Sequence, residues 1–175
     1  MLTLSFFCFQ VQPMKFINER AKGYRLLSGR GLELGAFEHP AALPSSCTVR
    51  YCDRFTMDEA QILFPEVDCS QLVEPDHLLD LDRDGLAQFP SGTEDFIIFN
   101  HVVEHLVNPI RVLEEVFRVL RPGGMCAIAA PDKNYTFDRA RPLSEFAALR
   151  EAYENNVEEV SEVAYMDIIT SYIKT

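Results

Sequence analysis

The sequence predicts an α/β domain, a doubly wound and mostly parallel sheet in three layers, from three observations. A continuous apolar run, DFIIFN at 95–100, has the character of a strand covered on both faces. A helical stretch, NPIRVLEEVFRVLRPGG at 108–124, follows it and stops at Pro122-Gly123-Gly124. Other short apolar stretches alternate with helices or long connections, which implies parallel strands joined by right-handed crossovers.

The elements follow in order. Between Met14 and Leu27 the apolar positions Phe16, Ile17, Tyr24, Leu26 and Leu27 stand among Lys, Glu and Arg, so the segment predicts a short amphipathic helix leading into Gly29. GLELGAF (31–37) is the first strand, and TVRYCDR (48–54), ending in an acidic residue, is the second. HLLDLD (77–82) is the third and 95–100 the fourth. In the helix after it, Ile110, Leu113, Val116, Phe117 and Leu120 recur at helical spacing, and MCAIAAP (125–131) makes the fifth strand. The tail, 143–175, reads as one or two helices with Leu143, Phe146, Leu149 and Tyr153 on one side.

Composition bounds the function. With 175 residues and 47% apolar content the chain forms one compact domain. Its parts are an N-terminal extension and helix (1–28), a core (29–132) and a helical tail (133–175) that serves as a lid or a dimer contact. A net charge of -11 without any basic run repels a phosphate backbone, so nucleic acid is excluded as a partner. Five cysteines, an odd number with no C-x-x-C, suit a reducing compartment and point to the cytoplasm. The opening MLTLSFFCFQVQPM is too short to span a bilayer and lacks a basic lead, so no membrane is expected. Met14 is an alternative start, leaving 13 residues as an extension; a pairing strand is the other reading.

The stretch GRGLELGAFEHP (29–40) carries glycines, but Gly29 and Gly31 precede the apolar strand residues Leu32 and Leu34. The dinucleotide fingerprint G-x-G-x-x-G, which must follow a strand, is therefore absent, and a nicotinamide-dependent oxidoreductase is disfavoured. At the strand's exit stand Glu33, Gly35, Ala36 and Phe37, and 18 residues after Gly35 comes Asp53, at the end of the next strand. A carboxylate there is placed to accept hydrogen bonds from two ribose hydroxyls.

From about Tyr24 to Asp132 the ordered set of motifs resembles the class I S-adenosylmethionine-dependent methyltransferases, including the methyltransferase type 11-like domains, with a Rossmann-like sheet. Glu33 and Gly35 resemble that family's first motif, and Asp53 its ribose-binding acid. Asp80 in LLDLD is similar to the acid near the adenine, although Asp82 is an alternative for that place. DFIIFNHVVEHLVNP resembles the fourth-strand motif, and RVLRPGG the helix exit before strand five. The resemblance implies S-adenosylmethionine as cofactor, with Glu33, Gly35, Ala36, Phe37, Asp53, Arg54, Asp80, Leu81, Asn100 and His101 around it. The departure lies after Gly35, where most members carry further glycines and this chain has Ala36-Phe37-Glu38-His39-Pro40. His39-Pro40 bounds that loop, as in a subgroup that ends it with Asn-Pro or His-Pro.

HVVEH (101–105) also matches the zinc-peptidase pattern H-x-x-E-H. That pattern belongs within a helix and needs a third ligand, whereas here it directly follows a buried strand, so no metal is expected. The methyltransferase reading puts His101 at the cofactor cleft as the candidate base for a protonated nucleophile, with Glu104 and His105 fixing the loop. Only 43 residues follow Asp132, too few for the helix, the last two of the usual seven strands and the lid that the family carries. The missing strands leave an edge at strand five, which predicts a homodimer through that edge or the C-terminal helix, or a fragment of a longer product. The expected function is methyl transfer to a small-molecule or glycan acceptor. The alternative is a degenerate, non-catalytic module that binds the cofactor without turnover.

Overall fold

A computed structural model describes residues 16–65, 67–136, 139–163 and 166. The expected N-terminal extension or pairing strand, and the last nine residues of the tail, lie outside them.

Helix α1 (Phe16–Tyr24) leads into strand β1 (Gly29–Leu34), followed by β2 (Cys47–Asp53), α2 (Met57–Leu63), β3 (His77–Leu78), β4 (Glu94–Asn100), α3 (Pro109–Val119), β5 (Leu120–Ala129) and α4 (Phe146–Glu154). The strands form one sheet in the order β3-β2-β1-β4-β5, and every neighbouring pair is parallel. Parallel strands must be covered on both faces. Tyr24 and Leu27 lie on one side with Phe96 and Ile98. On the other, Val112, Val116 and Val119 of α3 pack with Leu32, Leu34, Ile97, Phe99, Leu86 and Phe89.

The pattern of β4 follows from this sandwich: Phe96, Ile97, Ile98 and Phe99 are all 0% exposed, so neither face tolerates a polar residue. Gly31 of β1 pairs with Phe96, and a Cβ there would strike the Phe96 carbonyl and ring, so the two strands approach closely only because the residue is glycine. Helix α3 starts where Asn108 caps it, accepting from the Arg111 amide at 3.2 Å, with Pro109 in the first turn.

Several expected boundaries move. The first strand is Gly29–Leu34 and not 31–37, so Gly29 and Gly31 lie inside it and the strand ends one residue before Gly35. The third strand is only His77–Leu78; from Leu79 the chain turns inward, and Arg118 holds that turn by donating to the carbonyls of Leu86 and Phe89, both at 2.9 Å. Helix α3 ends at Val119, ahead of Pro122, which disfavours helix in the residue before it, and β5 begins at Leu120 opposite Glu94. Its buried stripe is Val112, Val116 and Val119, whereas Phe117, 82% exposed, and Leu113 face outward. The helix is apolar on two sides, and only one of them meets the sheet.

The link from β1 to β2 contains no helix; Pro40 and Pro44 interrupt it, each without an N–H to donate. Helix α4 lies against α3, where the Asn108 side chain donates to the Ala152 carbonyl at 3.0 Å and the Tyr153 hydroxyl to Glu114 at 3.0 Å. No described residue pairs with the outer edge of β5.

Candidate functional site

In a sheet of this order the chain leaves β1 toward one side and β4 toward the other, so a crevice opens at their carboxyl ends. Gly35, Asp53 and the pair Asn100-His101 stand at the exits of β1, β2 and β4 around it. The Gly35 amide donates to the Cys52 carbonyl at 2.8 Å, extending the β1–β2 ladder by one step. Its φ is +67°, and a Cβ would come within 2.8 Å of Val102 Cγ2, so only glycine fits this turn at the exit of β1. Phe37 also takes a left-handed conformation, φ +49°, two residues on.

The acids divide into two kinds. Glu33 is 1% exposed, and both its oxygens lie 3.0 Å from the Ala41 amide, which donates to them; the carboxylate fastens the loop after Gly35 and does not open to the crevice. Burial pushes its carboxyl up to about 7 against the pull of that amide. Asp53 accepts from the Arg54 amide at 2.7 Å, and burial raises its carboxyl despite help from the amides of Arg54 and Phe55. Asp80 pairs with the Arg54 guanidinium at 3.1 Å, so Arg54 joins the two acids, by its amide to Asp53 and by its side chain to Asp80. Asp82 turns away and accepts from the amides of Val107 and Asn108 at 3.0 and 3.4 Å, a structural pin for the loop after β4. Leu81 packs against the core under α3, and Ala36 is 7% exposed.

Beside the crevice stands an aromatic wall. Phe64 meets Phe37 edge to face at 5.3 Å and Phe55 at 6.1 Å, and the Val73 amide ties the following loop to the Phe37 carbonyl at 2.9 Å. The cavity between this wall and Asp53 is about 10 Å³, room for a single water, so a nucleoside would lie along the open crevice.

At the exit of β4 the Asn100 amide donates to the Tyr24 hydroxyl at 2.8 Å, and Arg20 of α1 hydrogen-bonds Nε2 of His101. His101 has φ +51°, its amide donates to the Ala129 carbonyl at 2.7 Å, and its side chain is 45% exposed. On the ring's other side Nδ1 is 3.4 Å from Glu104. Burial pushes the Glu104 carboxyl up, but the bond to His101, its own amide and the charges of His105 and His101 bring it below its ordinary value. Val103–His105 is a single 3₁₀ turn, and among the described residues no group of three or more His, Cys, Asp or Glu side chains is gathered as a metal site. Arg20, Tyr24 and Ala41 were not legible as site residues, because their partners lie 81, 76 and 8 positions away with no motif joining them.

Residues 65–128 match the family described as Methyltransferase domain. A protein of Mycolicibacterium smegmatis, named as a probable S-adenosylmethionine-dependent methyltransferase, is 30% identical over 93 residues. The match covers 51% of this chain and 36% of that protein, so the chain spans little more than a third of the relative's length. Among solved structures, a SAM-dependent methyltransferase from Aquifex aeolicus is similar with a TM-score of 0.51 at 19% identity, over 84% of this chain and 81% of the other. A protein from Pyrococcus horikoshii is similar at 0.51 and 18% identity, over 82% and 64%. At these identities the structural likeness establishes the fold. No described helix is long and apolar enough to cross a membrane.

Proposed function

We propose that this chain is a class I S-adenosylmethionine-dependent methyltransferase, which binds S-adenosylmethionine across the crevice and directs its methyl group to a small-molecule or glycan acceptor. The observation that carries the reading is the placement of Gly35 and Asp53, one residue beyond β1 and at the last position of β2, on strands paired in register Leu34 to Cys52. A glycine turn beside a carboxylate at the switch point is the arrangement that suits a nucleoside. The residues present fit the cofactor: Gly35 makes the turn at the exit of β1 without a side chain, and Asp53 at the end of β2 offers acceptors to a ribose diol.

When bound, the cofactor supplies a sulfonium whose methyl is displaced in line by the acceptor, leaving a neutral thioether. The chain's own work is alignment and proton handling. Asp53 and the Gly35-Ala36 backbone hold the donor, and Arg54 keeps Asp80 beside Asp53. His101, at the exit of β4, is placed to take the proton of an O- or N-nucleophile at a ring nitrogen.

Phe37 and its contact with Phe64, in the loop where the resembled family carries further glycines, favour a second reading as a cofactor-binding module without turnover. Methyl transfer from isotope-labelled S-adenosylmethionine to a panel of small phenols, amines, carboxylates and sugars separates the two. Label in an acceptor supports the enzyme, and cofactor binding without label in any acceptor supports the module.

A further inference from the structure

The Arg20–His101 contact bears on what the crevice accepts. A guanidinium carries N–H donors and no acceptor, so His101 Nε2 must receive the bond, which leaves the ring proton on Nδ1 facing the Glu104 carboxylate at 3.4 Å. The ring is thus held in one tautomer between a cation and an anion, and the lone pair that a base would use is occupied by Arg20. The Arg20 guanidinium also hydrogen-bonds the Tyr24 hydroxyl. In a chain of net charge -11 this is a cation at a ligand crevice held by an imidazole nitrogen and a phenol hydroxyl, where a carboxylate would be the stronger partner.

We propose that Arg20 is the receptor for a ligand carboxylate, and that engaging it draws the guanidinium off His101 and frees Nε2. The proposal rests on the methyltransferase reading of the crevice and adds to it a ligand class and an order of events. A planar carboxylate takes two parallel N–H bonds from a guanidinium, which one imidazole nitrogen cannot match. Tyr24 and Asn100, bonded to each other at 2.8 Å beside Arg20, hold the base of α1 against the exit of β4, so the arginine swings from a fixed helix. The carboxylate has two sources, the amino-acid end of the cofactor or the acceptor itself. Either way Arg20 binds the ligand and in doing so releases His101, so the base becomes available only with the ligand in place.

The test follows the His101 ring by ¹⁵N NMR and measures binding by calorimetry, in the full chain and in Arg20→Gln. The probes are S-adenosylhomocysteine, which has the carboxylate, 5′-methylthioadenosine, which lacks it, and millimolar acetate or the isosteric neutral acetamide added to the latter. In the wild type the free ring shows the Nδ1–H tautomer with Nε2 hydrogen-bonded. If the cofactor is the source, S-adenosylhomocysteine shifts the Nε2 signal, binds roughly tenfold more weakly to Arg20→Gln, and 5′-methylthioadenosine does neither. If the acceptor is the source, acetate with 5′-methylthioadenosine shifts Nε2 and acetamide does not. An Nε2 signal unmoved by every carboxylate, or moved equally in Arg20→Gln, overturns the proposal. Binding of both nucleosides with that null result leaves the methyltransferase reading intact, whereas binding of neither by a folded chain removes both.

Discussion

Glu33 and Ala41 are joined by a single amide that donates to both carboxylate oxygens at 3.0 Å, in a strand position 1% exposed to solvent. One neutral donor is poor compensation for a buried charge, which is why burial lifts this carboxyl from 4.5 to about 7. Between those two values the folded chain binds more protons at Glu33 than the unfolded chain, so its contribution to stability falls as pH rises through that window. Fully ionised, above about pH 7, the residue costs on the order of 3 kcal/mol relative to its protonated form. Glu33→Gln, which keeps an acceptor for Ala41 and cannot ionise, is expected to stabilise the chain at pH 8 by about 1–3 kcal/mol and to change little at pH 4. Urea unfolding at the two pH values reads this directly, and equal effects at both would contradict it.

Arg111 ties three segments together, donating to the Arg83 carbonyl at 3.0 Å, to Asn156 at 2.8 Å and to Glu158 at 3.0 Å, as well as to the Asp82 carbonyl. Arg111→Ala removes the bonds that bring the end of α4 to the turn after β3. The expected loss is about 2 kcal/mol. Amide hydrogen exchange across 146–157 should accelerate while β4 stays protected, and unchanged exchange in α4 would show that its packing on α3 suffices.

Gly35→Ala places an L side chain at φ +67° and its Cβ within 2.8 Å of Val102 Cγ2. The backbone conformation alone costs roughly 1–2 kcal/mol. Because the strain falls between the exits of β1 and β4, cofactor affinity is expected to drop further than stability does. Paired unfolding and titration data would reveal whether the two losses are instead equal.

The outer edge of β5 has no strand partner among the described residues, and Met125 and Ile128 on it are 37% and 49% exposed. Such an edge is a template for a second chain. Sedimentation at rising concentration should show self-association, and Ile128→Lys should shift it toward monomer; a monomer at all concentrations would remove the edge as a dimer contact.

Much of the sheet was legible because its signals are local. The apolar run of β4 and the spacing of Gly35 from Asp53 need no distant partner to be read, and all three proved to lie where a parallel switch point puts them. Residues 77–82 misled, since two strand residues followed by an inward turn have the same apolar content as a full strand. Helix α3 offered two apolar stripes, and only the sheet decided that Val112, Val116 and Val119 face in and Phe117 out. The roles of Arg20 and Tyr24 were hidden for a different reason: they are made by tertiary contacts to His101 and Asn100, 81 and 76 positions away. Asp82 looked equivalent to Asp80 in the sequence, and the amides of Val107 and Asn108 separate the two.

The central claim, that the crevice between the exits of β1, β2 and β4 holds S-adenosylmethionine through Asp53, is tested most directly by calorimetry. The full chain and Asp53→Ala are titrated with S-adenosylmethionine and S-adenosylhomocysteine, with circular dichroism confirming that both are folded. Micromolar binding by the wild type, weakened at least about tenfold in Asp53→Ala, is the predicted result. A folded wild type that binds neither ligand, or a variant that binds as well as the wild type, would contradict it.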